Sequence, residues 1–61
     1  MNKHEEIISL AKKLNAYSVE FYMDGQIKVY FKYLSITSTD IDFVLESLKE
    51  RLSNTVFYST I

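Results

Sequence analysis

His4 is the sole imidazole of this 61-residue chain and there is no cysteine, so the side chains that most often attack carbonyls or hold transition metals are nearly absent. A Ser-His-acid triad would need His4 held rigidly beside a serine, yet it stands close to a terminus expected to fray. A metal site would need further His, Cys or acidic ligands at matching spacing, and none accompanies it. Gly25 is the one glycine, which cannot by itself build a phosphate-cradling loop. The carboxylates Asp40, Asp42, Glu46 and Glu50 have a spacing that invites acid–base chemistry, which requires two acids in different environments. On a helix they line the open side, where no apolar enclosure would drive their pKa values apart. The sequence therefore predicts no catalytic, cofactor-binding or metal-binding residue, and the chain is not expected to be an enzyme.

Recognition chemistry is better represented. Taking Ile41 as zero and turning about 100° per residue, Leu45, Leu48 and Leu52 fall near one direction and Phe43 about 200° away. Phe43 should then point outward, framed by Asp42, Glu46 and Glu50. An aromatic ringed by charge is a common layout for a protein-binding hot spot. A second group is Tyr22, Lys28, Tyr30 and Lys32 on one face of a hairpin. Tyrosines interleaved with lysines suit stacking on single-stranded nucleic acid, and equally a protein interface. The expected pairing of Glu20 with Lys28 weighs against the nucleic-acid reading. A third candidate is a dimer contact through Val56, Phe57 and Tyr58, because in a strand these residues would seek burial on both faces.

Five short elements must position these groups. A helix is expected from about residue 2 to 15, with Ile7, Leu10, Ala11 and Leu14 forming an apolar stripe. Glu5 and Glu6 near its start and Lys12 and Lys13 near its end suit the helix dipole, and Asn15 can stop it in a left-handed conformation. Strands follow over about 17–22 and 26–34, rich in β-branched and aromatic residues. A two-residue Asp24-Gly25 turn would set Phe21 against Lys28 and mix the faces. A three-residue loop, Met23-Asp24-Gly25, instead pairs Phe21 with Ile27, Val19 with Val29 and Tyr17 with Phe31 on one face, and Glu20 with Lys28, Tyr22 with Gln26 and Ser18 with Tyr30 on the other.

A second helix is expected over about 38–53, capped by Thr37, with Asp40 in its first turn and Ile36 stapled on Ile41. Residues 55–61 read as a last strand. The order is α-β-β-α-β, an α+β domain spanning residues 1–61. Its three-stranded sheet would be mixed, with both helices packed on one face.

Composition agrees with a packed domain, since 48% of residues are hydrophobic and 15% aromatic. A net charge of −1 is poor for neutralising many phosphates, and no apolar run is long enough to span a bilayer. The expectation is a cytoplasmic, unprocessed protein. The Lys-, Ile-, Asn- and Tyr-rich usage suggests a low-GC bacterial or phage reading frame. The leading function is a non-catalytic protein-interaction module, a small regulator or inhibitor, with a homodimer as a further expectation. The alternative is binding of single-stranded nucleic acid.

Overall fold

The computed structural model describes residues 2–59, with side chains through residue 53. Its elements are α1 (Lys3–Lys13), β1 (Ser18–Phe21), β2 (Ile27–Tyr30), β3 (Ser35–Ser38) and α2 (Ile41–Ser59). The sheet is an antiparallel meander in the order β1-β2-β3.

Local chemistry accounts for α1 closely. The Asn2 side chain accepts a hydrogen bond from the Glu5 N–H and so caps the first turn. At the other end Asn15 adopts a φ of 60°, the left-handed stop. The N–H of Asn15 donates to the Lys12 carbonyl and that of Ala16 to the Ala11 carbonyl, the paired bonds that close a Schellman motif. Ala16 is thereby turned onto the core.

The first hairpin has the register expected from the apolar pattern: Phe21 faces Ile27, Val19 faces Val29, Glu20 faces Lys28 and Ser18 faces Tyr30. Gly25, with φ of 93°, takes the backbone position that a side chain would strain. The Asp24 carboxylate accepts from the Gln26 N–H, and the Tyr22 N–H donates to the Gln26 carbonyl, closing the loop. Tyr17 departs from the expected pairing with Phe31, because its N–H donates to the carbonyl of Tyr30.

Beyond Tyr30 the order α-β-β-α-β is overturned. The strand expected over 26–34 ends at Tyr30, the chain reverses at Lys32 and Tyr33, and the Phe31 N–H donates to the Leu34 carbonyl. Ser35–Ser38 returns as a strand rather than as the entry to a helix. None of the residues Phe31 to Leu34 is a customary turn former, so the reversal carries no compositional signature. It does carry a parity signature. Inward positions are odd-numbered in β2 (Ile27, Val29) and even-numbered in β3 (Ile36), and a two-residue loop enforces that change of phase.

The second helix starts at Ile41, not at residue 38, and its cap is Asp40 rather than Thr37. One Asp40 carboxylate oxygen accepts from the N–H groups of Asp42 (3.0 Å) and Phe43 (3.2 Å). Ser38 in turn accepts from the Asp40 N–H. The last strand, expected over residues 55–61, is also overturned, since α2 continues to Ser59. Asn54 is only a mild helix breaker, costing a fraction of a kcal/mol, about 0.7 at most, and neither Gly nor Pro follows to end the helix. The mixed sheet therefore becomes wholly antiparallel, while the α+β class stands.

Both helices cover one sheet face. The described core joins Ile7 and Ala11 of α1, Ile27 and Val29 of β2, and Val44, Leu45 and Leu48 of α2. Burying each of the larger side chains contributes roughly 1.5–3 kcal/mol. None of the described buried residues is polar or charged. No described helix is long and apolar enough to cross a membrane.

The cap assignment separates two otherwise similar substitutions. Asp40→Ala should lower the unfolding free energy by about 1 kcal/mol in a urea titration. Thr37→Ala, at an exposed strand position, should leave it within about 0.5 kcal/mol of the parent.

Candidate functional site

Three surfaces present chemistry. The first is the outer face of α2. Because Asp40 clamps the N–H groups of Asp42 and Phe43, the first turn is held at the base of both side chains. Val44, Leu45 and Leu48 take the inward side, and Phe43 is left 54% exposed, as the helical phase implies. Asp42, Glu46 and Glu50 are exposed as well. Glu50 also borders a shallow groove with Leu34, Ile36, Ser47 and Arg51, where α2 passes β3.

The acids around Phe43 are not equivalent. Lys3 reaches from the start of α1 to Asp42, Nζ to Oδ1 at 2.7 Å, and so ties the two helix starts together. The hydrogen bond and charge of Asp42 raise the Lys3 pKa above its ordinary value. As both side chains are more than half exposed, solvent screens this pair and its contribution to stability is small. Among the described residues no ion pair forms at Glu46 or Glu50, so the negative field beside Phe43 rests on those two.

The second surface is the sheet face turned away from the helices. The register places Glu20 beside Lys28 and Ser18 beside Tyr30, with Ser35 and Thr37 of β3 extending the same face. Glu20 and Lys28 do not form an ion pair. The Tyr22 hydroxyl instead donates to the Glu20 carboxylate, and the Lys28 ammonium lies 5.2 Å from the centre of the Tyr22 ring. Tyr22, Lys28 and Tyr30 are thus brought together. Lys32 is not with them, because it sits in the reversal after β2 and lies over Tyr33, 5.3 Å from the ring centre. It borders a cavity of about 460 Å³ with Leu14, Tyr17, Phe31 and Arg51, at the end of the sheet.

The third surface was not foreseen in the pattern of residues. Phe21, expected in the core, is 39% exposed, and the His4 and Phe21 rings meet in a T-shaped contact with centroids 4.8 Å apart. Ile8 and Tyr17 are exposed along the same side of the molecule. The signal that could have found this surface is strand order: β1 at an edge has one neighbouring strand, so its inward residues are covered on one flank only. Val56, Phe57 and Tyr58 fall in the last turns of α2, and their side chains lie outside the described residues. Their candidacy as a strand-mediated dimer contact falls with the strand.

Among the described residues no group of three or more His, Cys, Asp and Glu could hold a metal ion.

The Tyr22 hydrogen bond has a measurable consequence. Donation to Glu20 favours the protonated phenol and pushes the Tyr22 pKa from 10.0 up to about 12. Since the folded value is raised, the bond stabilises the fold fully below pH about 10 and is lost as the pH climbs through about 12. An ultraviolet absorbance titration should show Tyr22 ionising at about pH 12, and Glu20→Gln should lower that midpoint.

Compared with models of protein families, with curated proteins and with solved structures, the chain matches none.

Proposed function

We propose that this chain is a non-catalytic protein-interaction module, a small cytoplasmic regulator or inhibitor of bacterial or phage type, which binds a protein partner through Phe43. The observation that supports it most directly is a large aromatic side chain left 54% exposed on a helix whose first turn is capped. A side chain on a rigid base loses little freedom on binding, which is how an aromatic anchor becomes an energetic centre. Glu46 and Glu50 beside it call for an apolar pocket with a basic rim.

The tyrosine face supports nucleic-acid binding less well. Stacking needs an accessible ring face and free cations, whereas Lys28 lies over Tyr22 and Glu20 takes the Tyr22 hydroxyl. Lys32 lies over Tyr33 instead. These contacts leave the face largely satisfied within itself.

Capture from a lysate of the source cell, with and without nuclease, tests the proposal. A protein should be retained that resists nuclease and is depleted by Phe43→Ala. The loss should exceed about 1 kcal/mol in binding free energy, while the circular dichroism spectrum stays that of the parent. Retention that needs nucleic acid, or that ignores Phe43→Ala but falls with Tyr30→Ala, would move the function to the open sheet.

A further inference from the structure

Among the described residues, the free edge of β1 and the flank of α1 beside it form one continuous surface with no strand paired to it. The groove between them has a volume of about 390 Å³; Ile8, Ala11, Tyr17, Val19 and Phe21 are among its lining, with Lys12 the one charged residue on it. Ile8 is 37%, Phe21 39% and Tyr17 69% exposed. The strand edge is open too. Tyr22 donates to the Gln26 carbonyl, so hydrogen-bonded pairs fall at Tyr22, Glu20 and Ser18, and the N–H and C=O groups of Val19 and Phe21 point away from β2. Edge strands are commonly blunted by Pro, by Lys or by an inward-pointing charge, and β1 carries none of these.

We infer that this surface is a self-complementary interface on which a second copy of the chain adds β1 to β1, antiparallel, about a two-fold axis at Val19. The register follows from faces and charges. Keeping the apolar faces together requires odd residues opposite odd ones. An axis at Glu20 would set that carboxylate against its own counterpart, which is unfavourable. An axis at Ser18 would leave Phe21 unpaired. At Val19, each Tyr17 meets Phe21 of the second copy, each Ser18 meets Glu20, and the outward N–H and C=O groups of Val19 and the N–H of Phe21 find partners, while the Tyr17 N–H stays on the Tyr30 carbonyl of its own chain.

The helix layer obeys the same axis. α1 runs antiparallel to β1, since His4 lies against Phe21 while Ala16 leads into the strand. Ile8 lies one turn beyond His4, about 6 Å along the helix, and Val19 lies two residues back from Phe21, about 6.6 Å along the strand. The two residues therefore stand at one level. The axis that pairs Val19 with itself brings Ile8 toward its own counterpart, with α1 antiparallel to α1 at the roughly 8–10 Å separation of packed helices. About that centre Glu5 and Lys12 lie nearly equidistant on opposite sides, about 60° and 40° around the helix from Ile8 in the same sense. Each Glu5 then meets the Lys12 of the other copy, twice over. Two layers of unrelated residues thus select one axis, and the result is a six-stranded sheet with four helices on one face.

The interface shares no residue with the Phe43 surface and does not rest on it. Sedimentation equilibrium of the full chain should report a dimer. Glu5→Lys and Lys12→Glu should each raise the dimer dissociation constant about tenfold, because each converts two attractions into two repulsions. An equimolar mixture of the two variants should recover association, since in the mixed dimer the two reversed charges meet each other across the axis. The chain carrying both changes should recover it too. Circular dichroism should stay that of the parent throughout, with Phe43→Ala dimerising like the parent. A parent that sediments as a monomer up to its solubility limit would overturn the inference. So would single variants that associate as tightly as the parent, or a mixture that fails to recover.

Discussion

Ile27 and Val29 are the inward residues of the central strand, and the fold is organised around keeping them dry. Nothing beneath a three-stranded sheet protects such a pair except what the rest of the chain lays over it. Ile7 and Ala11 cover it from α1, and Val44, Leu45 and Leu48 from α2. The hairpin loops are constrained by the same demand. A three-residue loop between β1 and β2 keeps the apolar phase and a two-residue loop between β2 and β3 inverts it, and each delivers its strand with the correct side inward. The sheet could not tolerate a slip of one residue at either place.

The readable part of this architecture was the part with redundant signals. α1 combined an apolar stripe, charges suited to the dipole and a left-handed Asn15. The first hairpin combined a glycine with two faces that permitted one register. The second hairpin had neither glycine nor asparagine at its reversal, so Lys32 and Tyr33 read as strand, and Ser35 to Ser38 read as the polar approach to a helix. The apolar phase change between Val29 and Ile36 was the one trace of the turn, and it requires the strand to be suspected first. At the far end, β-branched and aromatic residues after Asn54 resembled a strand although no breaker intervened. Once one strand was missed, the seven residues after Asn54 were the natural replacement, and the topology followed that error.

Surface chemistry was legible to the extent that helical phase decides it. Phe43 is outward because Val44, Leu45 and Leu48 are inward, a consequence of angle alone. The pairing of Glu20 with Lys28 was correct as register and incomplete as chemistry, because Tyr22 supplies a better donor for the carboxylate and an aromatic face for the ammonium. Edge status could not be read at all, since it depends on strand order. That is why the exposure of Phe21 and the groove beside it emerge only from the assembled fold.

The meander has a consequence for how the chain reaches this state. Each strand pairs with its neighbour in sequence, so the sheet is assembled by closing two short loops, each with a small entropic cost. The longest-range contacts are those between the helices, such as Lys3 with Asp42, 39 residues apart. A crossover topology would have made the sheet itself wait for a long closure. Here the long closure falls to helix docking, which a preformed sheet face can guide, and pairing between strands adjacent in sequence is the kind of local contact that favours rapid folding.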